Sequence, residues 1–205
     1  MPRSKGAERF ESSLAAEFER VVRDNYERIF NFIFYMAGER EEASELTQET
    51  FVRAYAAFAD FRGEATVTTW LHRIARNVTL NRLRQRQLEQ RILWQPPGGE
   101  QGEHENWEEI QALAGGAAAD YQAQDPLAPL ESEETQKIVR DCLNELPPES
   151  REVILLRDME GHSYKDMTEI LGCTLEALKS RLFRARMALK EKLRPHLFPK
   201  ERGKH

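Results

Sequence analysis

One stretch of the chain concentrates side chains that bind the phosphates and bases of nucleic acids. Residues 70–91 carry six arginines against a single glutamate, with Trp70, His72 and Asn77 interleaved among them. Arginine forks pair with phosphates and stack on bases. Aromatic and amide side chains beside them are typical of proteins that hold unstacked nucleotides. The alternative for an isolated helix is a core tryptophan beside a solvated basic face.

A second basic stretch follows a helix-turn-helix pattern. Ser163 can cap a short helix, a tight turn covers residues 172–174, and Thr174 can cap a last helix. A helix, a short turn with glycine and a second helix form the unit that places its second helix in the major groove of DNA. Residues 179–194 hold seven basic side chains against Glu191 alone, which fits salt-sensitive binding to phosphates. A surface helix of an ordinary bundle is the alternative here.

Catalytic chemistry has no comparable pattern. The five histidines are scattered, and no histidine–carboxylate cluster has the spacing of metal ligands. The glycines form no phosphate-binding loop. Cys142 and Cys173 are the only cysteines, which excludes a disulfide-rich scaffold and a cysteine-only zinc site; free, partly buried thiols are expected. We therefore predict no catalytic residue, no metal and no cofactor, and a nuclease or other hydrolase is the least supported function.

The elements that position the first stretch are predicted to be helices. Apolar residues between 18 and 34 recur at spacings of three, four and seven, which indicates one face of a helix that ends at Gly38. A polar connection over residues 39–44 leads to a second amphipathic helix over 46–58. A third follows over 67–83. No alternating apolar pattern indicates a strand.

The net charge of −5 is concentrated in one middle segment. Residues 96–136 hold ten Asp and Glu and no Lys or Arg, with prolines and glycines at both ends. Such a segment buries too little apolar surface to offset its own ordering entropy. The chain is therefore predicted to be all-α, with two small helical domains, 10–95 and 134–198, joined by a flexible acidic linker, 96–133. The linker is either a plain tether or a carboxylate mimic of nucleic acid.

Two segments of the chain resemble bacterial RNA polymerase sigma factors. ELTQETFVRAYAAFADFRGEATVTTWLHRIARNVTLNRLR resembles region 2, and LNELPPESREVILLRDMEGHSYKDMTEILGCTLEALKSRLFRARMALKEKL resembles region 4. The short linker and the lack of other sigma regions resemble the extracytoplasmic-function (ECF) group. The resemblance covers most of residues 15–195. It implies a region 2 helical bundle and a region 4 helix-turn-helix.

The resemblance also implies a role for each candidate residue. The contact with core polymerase would comprise Glu45, Leu46, Gln48, Glu49, Phe51 and Val52, of which one of the two large apolar residues is expected to be core. The melted −10 strand would be held by Phe61, Arg62, Trp70, Arg73, Arg76, Asn77 and Arg84. The −35 duplex would be read by Thr174, Glu176, Ala177, Lys179, Ser180, Arg181 and Arg184.

Four positions depart from the family pattern. Val67 stands where the family usually has an aromatic residue, and Asn81 where it has an aspartate. Glu176 and Ala177 replace a small residue and a threonine in the recognition helix. A carboxylate there can accept from a cytosine amino group, and an alanine can contact a thymine methyl. The promoter sequence therefore does not follow from the resemblance.

The function implied is a sigma factor that binds core RNA polymerase and promoter DNA without catalysis. An anti-sigma factor, in some members of the group membrane-bound, is a further implied partner. The sequence shows no signal peptide and no apolar run long enough to insert in a membrane, so a cytoplasmic location is expected, with an anti-sigma partner able to hold the protein at the inner membrane face. The alternative is a free-standing helix-turn-helix regulator that binds duplex DNA without polymerase.

Overall fold

The computed structural model describes the backbone of residues 5–93 and 133–197, and the side chains of residues 13–90 and 135–197. The part described contains helices and no strand, which confirms the all-α prediction. The predictions of an acidic tether and of carboxylate mimicry fall on a linker that lies almost entirely outside these residues. None of the described helices is both long and apolar enough to cross a bilayer.

The first domain is a bundle of three helices, α1 (Lys5–Ala37), α2 (Arg40–Phe58) and α3 (Val67–Leu93). Each is amphipathic, and their apolar faces meet in one core. The side chains at the centre are almost completely buried: Ile29, Phe32, Ile33, Met36, Leu46 and Leu71. Burial of apolar faces of this kind supplies most of the stability of such helices.

The turn between α1 and α2 is shorter than the sequence predicts. Gly38 ends α1 with a positive φ of 88°, a conformation that glycine adopts without strain. Glu39 is extended, and α2 begins at Arg40, so the predicted polar connection over residues 39–44 is mostly helical. Glu41 and Glu42 occupy the first turn, where carboxylates interact favourably with the helix N-terminus.

The second domain contains α4 (Glu133–Asn144), α5 (Pro148–Ile154) with a π-helical turn Leu155–Met159, α6 (Tyr164–Leu171) and α7 (Leu175–Leu197). The predicted turn chemistry is confirmed. Ser163 accepts from the backbone N–H of Asp166, whose carboxylate accepts from Ser163 in return, so the two form a capping box. Gly172 is left-handed at φ 64°, and Thr174 Oγ1 accepts from the Ala177 N–H at 3.3 Å.

The two domains pack against each other. Helix α6 lies along α3, and α4 contacts α1. A buried arginine of α5, Arg151, donates to the carbonyl oxygen of Met36 at 2.6 Å and to that of Asn144 at 2.6 Å. It thereby joins the end of α1 to the end of α4. Burial lowers the pKa of Arg151 to about 10, so the guanidinium remains charged at neutral pH.

Candidate nucleic-acid interface

The first predicted DNA-binding surface surrounds a cavity at the junction of α2 and α3. The cavity has a volume of about 510 Å³ and is lined by Phe61, Arg62, Trp70 and Arg73, among other residues. The rings of Phe61 and Trp70 lie 4.9 Å apart, centroid to centroid. Trp70 is 9% exposed, so it belongs to the core and to the cavity wall at once. The core position of this tryptophan is therefore confirmed, whereas its contact with DNA stays a prediction.

The loop before α3 fixes the position of this cavity. Gly63 turns the chain with a positive φ of 72°. Thr66 Oγ1 then accepts from the backbone N–H of Thr69 at 3.1 Å, which caps the first turn of α3. Trp70 follows directly, so a turn residue and a cap residue determine where its ring enters the cavity.

The remaining residues predicted for the −10 strand are spread along α3. Asn77 is exposed beyond the cavity, whereas Arg76 is partly covered by the second domain. Arg84 is exposed but is about 16 Å along the helix axis from Arg73, at 1.5 Å per residue. The structure thus brings four of the seven residues together and leaves Arg84 apart from them.

Two other arginines of α3 serve the fold. Arg86 pairs with Glu42 at 3.3 Å and with Glu39 at 3.1 Å. Arg82 lies 3.7 Å from Glu42 and 3.5 Å from Glu45. These pairs join α3 to α2, so the basic face is less free than the charge count of the sequence indicates. His72, interleaved with the arginines in sequence, is completely buried and faces the second domain.

The surface predicted to bind core polymerase has to be corrected at two positions. Glu45, Gln48, Glu49 and Val52 are exposed on α2. Leu46 and Phe51 are both buried, because each lies on the face of α2 that packs into the bundle. Sequence reasoning expected only one of them in the core. Both can support the surface from behind, but neither presents its side chain to a partner.

Sequence reasoning missed exposed aromatic residues near this surface. Tyr55 is 48% exposed and follows Val52 by three residues, so the two share one helix face. Tyr26 of α1 is 42% exposed and stacks on Phe51 with ring centroids 6.0 Å apart. Gln48, Val52 and Tyr55 follow each other at steps of four and three. This helical spacing is the signal that could have identified Tyr55.

The recognition helix α7 presents its first turns to solvent. Thr174, Glu176, Ala177, Lys179 and Ser180 are exposed, whereas Arg181 and Arg184 are half-buried. The opposite face is almost completely buried through Leu178, Leu182, Ala185 and Leu189. Arg186 pairs with Asp158 and ties α7 to the π-helical turn. Sequence reasoning missed two exposed apolar residues one turn apart, Phe183 and Met187.

A buried carboxylate that sequence reasoning also missed connects the two surfaces. Glu152 of α5 is completely buried. It accepts from Arg76 Nε at 2.7 Å and Nη2 at 3.1 Å, and from Arg181 Nη1 at 3.2 Å. Burial raises the pKa of Glu152, and the two arginines act in the opposite direction. Glu152 lies four residues before the apolar Leu156, on the same side of the helix. This spacing is the signal that could have identified it as buried.

The two cysteines are free thiols in the part of the chain that the structure describes. Cys142 is buried and Cys173 half-buried, and both are free, as predicted. Burial, with Glu145 nearby, raises the pKa of the Cys142 thiol and disfavours the reactive thiolate. In residues 5–93 and 133–197 no group of three His, Cys, Asp or Glu side chains could hold a metal ion.

Comparison with protein families matches both domains. Residues 21–89 match Sigma-70 region 2, and residues 136–189 match Sigma-70, region 4. The chain is 30% identical to the RNA polymerase sigma-H factor of Pseudomonas aeruginosa over 88% of both chains. It is 33% identical to the ECF RNA polymerase sigma-E factor of Haemophilus influenzae, over 76% of this chain and 77% of the relative. This chain belongs to the ECF sigma factors of RNA polymerase.

Solved structures share the fold of this sigma factor. The sigma factor RpoE of Bartonella quintana, in complex with the anti-sigma factor NepR, has a TM-score of 0.61 and 23% identity, covering 87% of this chain and 97% of that chain. CnrH, in complex with the cytosolic domain of CnrY, has a TM-score of 0.56 and 21% identity, covering 88% and 94%. The arrangement of two helical domains is therefore that of known sigma factors. The free-standing regulator is not favoured.

Proposed function

We propose that this sigma factor divides promoter recognition between its two domains. Region 2, the first domain, docks on core polymerase through α2 and captures the melted −10 strand. Region 4, the second domain, reads the −35 duplex through α7. The observation that carries the proposal is the cavity lined by Phe61 and Trp70 together with Arg62 and Arg73.

The cavity supports the capture of a base that has left the stack. Its volume of about 510 Å³ lies within the range of small-molecule sites, roughly 300–1,000 Å³, and therefore accommodates a nucleobase. Two aromatic side chains offer stacking surfaces, and the guanidinium groups of Arg62 and Arg73 can pair with flanking phosphates. A base extruded from a duplex needs both kinds of contact.

The first turns of α7 support sequence readout in the major groove. Lys179 and Ser180 are exposed where a groove-bound helix presents its side chains. Glu176 can accept from a cytosine amino group and Ala177 can contact a thymine methyl. Arg181 has the guanidinium fork that pairs with guanine. Such contacts decide which promoters the factor selects.

The exposed face of α2 supports docking on polymerase. It combines the polar residues Glu45, Gln48 and Glu49 with Val52, which is 69% exposed. An apolar residue among charged ones is the usual composition of a transient interface. The proposal includes no catalytic step, because the polymerase performs the chemistry.

An anti-sigma factor is a further proposed partner. The structural neighbour RpoE is in complex with the anti-sigma factor NepR, and CnrH is in complex with the cytosolic domain of CnrY. This chain presents apolar residues that a helical partner could cover, among them Tyr26, Tyr55 and Phe183. We place the factor in the cytoplasm, where its polymerase and DNA are found, with attachment to the inner membrane face only through that partner.

Run-off transcription on fragmented genomic DNA tests the proposed function. Core polymerase is assayed with and without the protein, and discrete new transcripts are expected only with it. Mapping their start sites then gives the −10 and −35 sequences. A protein that neither binds polymerase nor produces transcripts would overturn the proposal. Val52→Asp serves as the negative control, because it should abolish polymerase binding while preserving the helical circular dichroism spectrum.

A further inference from the structure

We propose that region 4 inhibits region 2 within the free chain by placing its own carboxylates where single-stranded DNA must bind. The inference rests on the proposed function, since it concerns the same surface of region 2. It assigns a role to contacts between the domains that promoter recognition by itself does not require.

The buried carboxylate of Glu152 is the centre of this inhibition. Arg76 belongs to region 2 and Arg181 to the recognition helix of region 4, and both donate to Glu152 within 3.2 Å. Two nitrogens of Arg76 donate to the two carboxylate oxygens, in the bidentate geometry that an arginine also forms with a phosphate. Arg181 belongs to the same domain as Glu152, whereas Arg76 reaches it across the junction, so Arg76 is unavailable to DNA while the domains are closed.

A second carboxylate of region 4 reaches the base cavity of region 2. Glu169 of α6 lines the same cavity as Phe61, Trp70 and Arg73. Its negative charge is unfavourable for a phosphate that approaches the cavity. Helix α6 also lies along α3 and restricts access to it. Single-stranded DNA and region 4 thus compete for one surface.

Hydrogen bonds and ion pairs join the domains beside an apolar core that continues from one domain to the other. Arg28 of α1 donates to the carboxylate of Glu160 at 3.0 Å and to its backbone oxygen at 2.9 Å. The rings of His72 and His162, one from each domain, lie 4.5 Å apart. Water can replace these polar contacts when the domains separate.

The closed interface is also imperfectly satisfied. Among the described side chains, four buried polar atoms lack a hydrogen-bond partner, and all four belong to residues at the junction of the domains: His72, Asn144, Arg151 and His162. His72 Nε2 lies 3.6 Å from Glu160, beyond hydrogen-bond distance. Buried groups without partners recover hydrogen bonds with water when the domains separate. The arrangement is thus suited to opening when polymerase or DNA binds.

The test uses the full-length chain and two pairs of matched variants. Arg28→Ala removes a contact between the domains, and Arg23→Ala removes the same charge from an exposed site on the same helix. Glu152→Gln removes the shared carboxylate charge, and Glu149→Gln removes an equal charge from the exposed face of α5. The readouts are the radius of gyration from small-angle X-ray scattering and the fluorescence anisotropy of fluorescein-labelled dT20.

Arg28→Ala and Glu152→Gln should each expand the chain and bind dT20 about five- to tenfold more tightly, because the apparent dissociation constant scales inversely with the open fraction. Arg23→Ala and Glu149→Gln should match the parent in radius and bind dT20 with nearly parental affinity. Tighter binding by Arg28→Ala is the sharper result, since loss of a positive charge would otherwise weaken binding to DNA. If Glu152→Gln loses helical circular dichroism, Arg28→Ala alone decides.

Equal radii and equal dT20 affinities in each variant and its control would overturn the inference. An already expanded parent would overturn it too. Run-off transcription with the parent separates this failure from failure of the proposed function. Transcripts without any effect of the variants remove the inhibition alone, whereas expansion and tighter binding without transcripts remove promoter recognition and leave the inhibition standing.

Discussion

At the scale of single residues, the arginines divide by what they contact. Arg82 and Arg86 pair with carboxylates of α2 and stabilise the bundle. Arg73 has no ionic partner among the described side chains. Arg181 pairs with Glu152, which also pairs with Arg76 of the first domain. The same side chain type therefore serves the fold, the DNA surface or the junction, according to the acidic residues within reach.

Replacement of Arg181 by alanine tests base readout. Arg181→Ala should weaken binding to a −35 duplex by about 1–3 kcal/mol if the guanidinium pairs with a base. Electrophoretic mobility shifts with the mapped promoter and single-base variants of it measure the loss. Lys190→Ala, which removes an exposed charge farther along α7, should cost less and leave base preference unchanged. If Arg181→Ala keeps the base preference of the parent at every position, this residue is excluded from readout.

Replacement of Trp70 separates its two roles. Trp70→Ala should lower the free energy of unfolding by about 3–5 kcal/mol, because it removes a nearly buried ring from the core. Trp70→Phe should retain most of that stability and still impair promoter melting, since the smaller ring covers less of the base. Urea unfolding and permanganate footprinting measure the two effects. Normal melting by a folded Trp70→Phe protein would remove the ring from base capture.

At the scale of elements, caps and turns position the recognition helix, and the π-helical turn leads to the domain junction. The capping box at Ser163 and the left-handed Gly172 fix α6 and α7 relative to each other. The segment after the π-helical turn carries Glu160 and His162 against α3. Each domain therefore folds through local signals, whereas the junction depends on side chains that are distant in sequence.

The junction should weaken in acid because of His162. Burial lowers its pKa to about 4, with His72 and Arg28 acting in the same direction and Glu160 and Asp166 opposing them. A separated or unfolded chain takes up this proton near pH 6.5, so closure is unaffected above that pH and loses up to about 3 kcal/mol as pH falls from 6.5 to 4.

Scattering and thermal unfolding across this pH range measure the effect. His162→Gln should flatten the loss between pH 6.5 and 4, whereas His196→Gln, a change at an exposed histidine of α7, should retain it. The same pH profile in the parent and in His162→Gln would assign the acid sensitivity to other groups.

At the scale of the whole molecule, the second domain places a carboxylate on an arginine of α3 that is proposed to bind DNA. Arg76 and Arg181 are 105 positions apart in sequence and meet on one carboxylate. Residues 96–136, between the domains, carry ten acidic residues and no Lys or Arg. In the proposed inhibition, closure and binding of single-stranded DNA are competing states of one molecule.

The sequence by itself determined the local structure and the family. Apolar spacing predicted the helices, and Ser163, Gly172 and Thr174 predicted the turns, because caps and left-handed residues act through neighbours within a few positions. The resemblance to region 2 also named Phe61, Arg62, Trp70 and Arg73, which line the cavity.

Only the tertiary structure decided which of the charged and aromatic groups are free. Leu46 and Phe51 turned out to be core, His72 faced the other domain, and Glu152 joined two arginines that the sequence had assigned to different DNA elements. The physical reason is that burial and ion pairing depend on distances between segments far apart in the chain. A charge count records how many groups a segment carries, whereas packing determines where each one is satisfied.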